Sequence, residues 1–262
     1  MKALVTFLAL VLAAPAMAQP DAPPGTPPSM ASRLRAERPS AVEPGIYAAG
    51  DKLVFTLQPD GARYLLRFTG SSETFVLSVE RGSLGAKLMK YDTGATALRV
   101  SVWGAITIYT RDAPQGIPAT YQGPAQSLAP RLISAAELTT AFGDETGHIG
   151  YVQNIALKFS PDPAVVASDS ETRGRAFEAL VNAATGIERF LNDNPGARPI
   201  LSKRINSVKL AEGGKPTIAL SGQTLLVSFV PGEGREGHAS SLAIEQELGR
   251  LFTVTAKDIA VK

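Results

Sequence analysis

Apolar and polar positions alternate through most of the stretch from residue 53 to residue 108. Leu53, Phe55 and Leu57 lead to the turn Gln58-Pro59-Asp60-Gly61, and Tyr64, Leu66 and Phe68 lead to Thr69-Gly70-Ser71-Ser72. Phe75, Leu77 and Val79 run to Arg81-Gly82-Ser83, and a short piece around Leu88 meets Asp92-Thr93-Gly94. Leu98, Val100 and Val102 reach Gly104, and Ile106 with Ile108 continue the pattern. A period of two, broken by turn residues at roughly ten-residue spacing, predicts an antiparallel meander with one apolar face. That face needs a cover, so the sheet must curl on itself or lie under other elements.

The pattern changes after Asp112. Ala113 to Pro130 is rich in Pro, Gly and Gln and reads as a long connection. Leu132 to Phe142 fits a short helix ending at Gly143, and Tyr151 to Phe159 fits strand and helix alike. Ser168 and Glu171 have capping-box spacing, and Phe177, Leu180, Val181, Ala184, Ile187 and Leu191 follow at helical intervals until Asn192-Asp193-Asn194-Pro195-Gly196 stops them. Gly174 and Gly186 inside that helix cost about 1 kcal/mol each against alanine. Either another element approaches closely there or the helix is shorter.

A second β region spans Ile200 to Leu210, Thr217 to Leu220, and the alternating Leu225, Val227 and Phe229. Ser240 to Phe252 reads as a last helix, with an edge strand possible beyond it. The expected fold is α+β: an N-terminal antiparallel β-meander, a partly closed sheet, packed with a C-terminal β-hairpin and two covering helices. It forms a single domain over 45–262, β-rich over 45–112 and helix plus hairpin over 163–262.

The N-terminus adds a compartment. Lys2, the apolar run Ala3 to Ala14 and the small-x-small pattern Ala16-Met17-Ala18 make residues 1–18 a cleavable signal peptide. The run is too short to span a bilayer core, which needs about 20 residues. Residues 19–44 are a proline-rich disordered linker, beginning QPDAPPGTPPS. Arg33, Arg35 and Arg38 within it read as a solvated tether. Export to the periplasm or the medium is therefore expected, with no transmembrane segment after cleavage. The absence of cysteine excludes a lipid-modified cysteine and disulfides, so a hydrophobic core must hold the fold. With 26 basic against 24 acidic residues, the charge gives no footprint for nucleic acid.

Candidate chemistry is sparse. Asp92-Thr93-Gly94 matches the loop of aspartic peptidases, where two carboxylates share a proton and activate water. Lys90 and Tyr91 stand where that loop needs small or aliphatic residues, and a hairpin turn explains Asp-x-Gly equally well. Asp144, Glu145 and His148 are the metal-site candidates, with His238 a distant fourth member, although catalytic zinc needs about three protein ligands. Trp103, Tyr109 and Tyr121 could line a groove for a glycan or peptide, while a lone Trp in a strand more often fills a core. No serine-nucleophile elbow or Walker loop occurs, and Gly232-Glu233-Gly234 with Gly237 matches a dinucleotide fingerprint only in letters. No cofactor is expected.

Arg81-Gly82, Asp92-x-Gly94, Leu98-Arg99, Gly104 and Pro114-x-Gly116 together resemble a family of exported alphaproteobacterial proteins catalogued only as a domain of unknown function. The segment SKRINSVKLAEGGKPTIALSGQTLLVSFVPGEG with Ser240-Ser241 resembles the C-terminal part of that family. The resemblance implies no activity, cofactor or catalytic residue, and it favours a shared turn at Asp92. The functional expectation is a non-catalytic periplasmic module that binds an envelope protein or a small ligand. The alternative is a hydrolase, aspartic-peptidase-like through Asp92 or metal-dependent through Asp144 and His148.

Overall fold

The computed structural model describes residues 42–259, with side chains to residue 252. The expected signal peptide and the expected linker up to residue 41 lie outside the described residues. From Gly45 the alternating pattern forms eight strands: β1 Gly45–Ala49, β2 Leu53–Asp60, β3 Arg63–Phe68, β4 Phe75–Arg81, β5 Lys87–Lys90, β6 Thr96–Val100, β7 Ile106–Thr110 and β8 Ala113–Gly123. Each pairs antiparallel with the next, and β8 pairs back onto β1, so the sheet closes completely. Closure removes both edges and turns the apolar face inward. Phe55, Leu57, Leu66, Leu77, Met89, Leu98 and Ile108 fill the interior with no solvent exposure.

The closing strand falls where the sequence reads as a connection. Pro and Gly in 113–123 suppress the strand signal, yet β8 tolerates them because its register slips beside Ile108 and Thr110. Gly116 sits there with φ +84, and a Cβ on it would lie 2.5 Å from Thr107 Cγ2. The Thr107 and Tyr109 side chains crowd the position, and its left-handed backbone favours glycine. After β8 the chain crosses β2, where Gln58 holds Gln126 and Leu128 through their main chains.

The C-terminal half is a second core. Helix α1 (Ala135–Gln153) begins with a complete capping box between Ser134 and Glu137, and ends at left-handed Asn154. It runs on past Gly143, where a stop was expected, because Leu138, Phe142 and Ile149 continue one buried stripe. Strand β9 (Lys158–Pro161), the short helix α2 (Pro163–Ala167) and the long helix α3 (Ser170–Asp193) follow. Asp169, not Ser168, caps α3 by accepting from the amides of Glu171 and Thr172. Ile200 begins no strand: α4 (Arg198–Arg204) occupies that stretch, then come β10 (Ser207–Glu212), β11 (Thr217–Ser221), β12 (Thr224–Phe229) and α5 (Ser241–Ile259). The expected hairpin β11–β12 belongs to a four-stranded sheet in the order β11-β12-β10-β9, where β10 runs parallel to both its neighbours. Helix α5 also occupies residues read as a possible edge strand.

The glycines in α3 mark close approaches. A Cβ on Gly174 would lie 2.0 Å from the Arg131 carbonyl oxygen. One on Gly186 would lie 2.7 Å from Ile244 Cβ and 2.8 Å from the Ser241 carbonyl oxygen, so α3 and α5 touch backbone to backbone. Gly186→Ala should therefore destabilise the protein. Overpacking costs about 1–3 kcal/mol, which exceeds the ~1 kcal/mol that alanine adds to a helix. A denaturation midpoint at or above that of the parent would contradict this packing.

Candidate functional site

In an up-and-down barrel successive hairpin turns fall at alternate ends. The β1–β2, β3–β4, β5–β6 and β7–β8 turns share one end, and helices α3 and α5 lie across it. Between turns and helices is a cleft of about 1200 Å³. The barrel contributes Leu53, Phe68, Phe75, Tyr91 and Tyr109, all from strands or turns at that end. Helix α3 contributes Arg189 and Phe190, and α5 contributes Leu242, Glu245, Gln246 and Gly249 from one face. Gly249 leaves space: nothing lies within 4 Å of where its Cβ would be. Phe75 meets Phe68 and Tyr91 edge-on at 6.1 and 5.1 Å, which gives the cleft an aromatic floor.

Two carboxylates from the barrel rim hold the start of α5. Glu73 accepts from the Ser241 amide at 2.7 Å and from its hydroxyl at 2.6 Å. Asp92 accepts from the Ser240 amide at 2.8 Å and its hydroxyl at 2.7 Å. Negative groups at a helix N-terminus satisfy amides that have no partner within the helix and complement the dipole. Asp92 thus has both oxygens engaged in joining the barrel to a helix. Gly94, at φ +83, supplies the turn that brings it there. Across the cleft Arg111, on the β7–β8 turn, pairs with Asp193 at the end of α3 and with Glu245 of α5 at 2.7 Å.

Arg189 is a cation of the cleft without an ion-pair partner. Its Nε is buried without a hydrogen-bond partner, and among the described residues no carboxylate pairs with its guanidinium. Burial pushes the Glu73 carboxyl above its ordinary value, against the pull of the Ser241 donors and of Arg189. Burial pushes the Tyr91 phenol up too, again with Arg189 opposing. Glu73 acts on Arg189 only through space, so the guanidinium keeps donors that no carboxylate takes up by direct contact.

A second polar cluster lies beside the first. Glu178 of α3 accepts from Arg235 Nε at 3.0 Å and Nη2 at 2.9 Å, and from Arg175 at 3.3 Å. His238 Nε2 lies 3.4 Å from Glu178, and its Nδ1 lies 3.2 Å from the Asn182 amide nitrogen. Burial alone would raise the Glu178 carboxyl, but His238 and Arg235 bring it down to about 2. The glycines at 232, 234 and 237 form the tight turn that delivers Arg235 and His238 to this cluster, where Val230 N–H donates to the Gly237 carbonyl at 2.7 Å.

The remaining sequence candidates scatter. Asp144, Glu145 and His148 share α1, where His148 turns to Glu188 of α3 at 2.7 Å. Burial raises the Glu145 carboxyl, with His148 opposing. His238 is committed to Glu178 and Asn182, and among the described residues no three His, Asp or Glu side chains gather as a metal site. Trp103 is not core filling: it is 87 % exposed on the β6–β7 turn. Tyr121 packs edge-on to Tyr47 on the barrel wall, and Tyr109 alone of the three aromatics reaches the cleft. Sequence reasoning missed Glu73, Arg189 and Leu242. Only Arg189 left a trace, as a charge midway between Ile187 and Leu191 of the apolar stripe of α3, and its meaning depends on where the barrel mouth falls.

A family model for "Domain of unknown function (DUF4908)" matches residues 29–248. The chain belongs to that family. No curated protein and no solved structure matches it. The DUF4908 match takes in the whole barrel, the second sheet and the α5 residues that line the cleft up to Leu248. No helix among the described residues is long and apolar enough to cross a membrane.

Proposed function

We propose that this protein binds a small amphipathic molecule, an apolar body with a single acidic head group, in the cleft at the barrel mouth. The observation that carries the reading is Arg189, an arginine without a carboxylate in ion-pair contact, facing a cavity with an aromatic floor and a polar rim that is large enough for such a ligand. Side chains fill the barrel interior, as they can in an eight-stranded barrel, so the ligand sits between the barrel mouth and the helices that cover it. Of the two acids that line the cleft, Glu245 is held by Arg111 and Asp112 is exposed at the rim, while Glu73 and Asp92 behind it are engaged by α5. That favours binding over hydrolysis. The leader at residues 1–18 supports action outside the cytoplasm, in the periplasm or beyond, on a ligand of the envelope.

Titration calorimetry with dodecanoate and with dodecyltrimethylammonium, equal in chain length and opposite in charge, tests the proposal. Dodecanoate should bind saturably and the cation should not. Arg189→Gln should weaken dodecanoate about tenfold or more, the equivalent of ~1.4 kcal/mol or a lost charge-assisted contact. Gly249→Phe should fill the cleft and abolish binding without loss of fold. Equal heats for both amphiphiles, or unchanged binding in Gly249→Phe, would remove the proposal.

A further inference from the structure

The barrel end away from the cleft carries a different surface. The β4–β5 and β6–β7 turns meet there: a Cβ on Gly85 would lie 3.0 Å from Val102 Cγ1. From these two turns project Leu84 at 89 % and Trp103 at 87 % exposure, with Val102 half-exposed between them. Side chains so nearly free of protein contact stand out from the surface, unlike a flat or concave patch. Leu84 does so from a left-handed backbone, φ +55. For a bulky L-residue that conformation is disfavoured, and glycine or asparagine would occupy it more readily. A leucine is thus held in water, in strain, at the tip of a tight turn.

The strands beneath are basic. Between Arg81 and Arg111 the only acid is Asp92, which lies at the other end in the grip of α5. Arg81 and Arg99 flank the tip on β4 and β6, and the nearest acid on these strands, Glu80, is neutralised by Lys90 at 2.6 Å. Protruding Trp and Leu above a cationic collar suit one partner best. The aromatic seats at the boundary between headgroups and chains, the aliphatic enters below it, and the guanidinium groups meet lipid phosphates. We propose that this tip docks the protein peripherally on an anionic lipid bilayer. None of Leu84, Val102, Trp103, Arg81 and Arg99 lines the cleft, and the inference is independent of the ligand proposed there.

Trp103 is the sole tryptophan of the chain, so its emission reports on the tip directly. The purified protein is titrated with vesicles of phosphatidylglycerol and phosphatidylcholine, with pure phosphatidylcholine vesicles, and with phosphatidylglycerol vesicles carrying bromine on the acyl chains. The expected results are a blue shift with the anionic vesicles, quenching by brominated chains, and binding that falls steeply as salt rises. Leu84→Gly relieves the backbone and leaves the fold intact, yet should weaken vesicle binding about tenfold; Arg81→Gln with Arg99→Gln should do the same. No shift with anionic vesicles overturns the proposal, as does equal binding to neutral vesicles at high salt. A blue shift that depends on protein concentration without lipid would assign the tip to a second copy of the chain instead. An amphiphile bound in the cleft leaves Trp103 emission unchanged, which keeps the two proposals apart.

Discussion

Glu178→Ala is expected to cost about 3–5 kcal/mol of stability, because removing one member of a buried ion cluster leaves the others uncompensated. Arg235 is only 5 % exposed at its side chain and Arg175 10 %, so neither can regain water by small movements. For a domain of this size the loss lowers Tm by about 10 °C, measurable by calorimetry. The same carboxylate gives the parent protein a pH signature. Its folded value of about 2 lies below the ordinary 4.5, so the stabilisation is fully present above 4.5 and lost as pH falls towards 2. Glu178→Gln should flatten that acid limb. If urea midpoints of Glu178→Gln and the parent fell in parallel between pH 5 and pH 3, the cluster would not be contributing as described.

Glu73→Ala should be the next most damaging change, at about 2–4 kcal/mol, since it strips two short hydrogen bonds from the Ser241 amide and hydroxyl in a buried place. Asp92→Ala should cost less, about 1 kcal/mol, because Asp92 is exposed and Ser240 still caps the helix through its hydroxyl to the Ala243 amide. Both changes free the start of α5 and should speed amide exchange in its first turn, and both should weaken ligand binding because Leu242 and Glu245 lose their positions in the cleft. Glu73 has the opposite pH sense to Glu178. Burial raises its folded value, so its ionisation opposes folding and its contribution is largest below the unfolded value, declining as pH rises. An order reversed between Glu73→Ala and Asp92→Ala would show that exposure, not burial, governs the clamp.

The two barrel–helix contacts explain why the site resisted prediction. Asp92-Thr93-Gly94 announces a turn, and the turn is there; the letters also fit a peptidase loop. What separates those readings is Ser240, 148 positions away, whose hydroxyl and amide take both Asp92 oxygens. Glu73 carries no motif at all and matters only because Ser241 arrives against it.

Alternation between Leu53 and Ile108 determined the strands and their inward faces by itself, because side chains two apart share a face and the turns between them need Gly, Asp or Pro. The apolar stripe from Phe177 to Leu191 likewise determined α3, and its glycines announced a close neighbour without naming it. Closure of the barrel, the parallel pairing of β10, and the meeting of Arg189 with an aromatic mouth were decided only in three dimensions. Local patterns record which face of an element is buried. They hold no record of which distant element buries it, and at this cleft the chemistry belongs to the pairing.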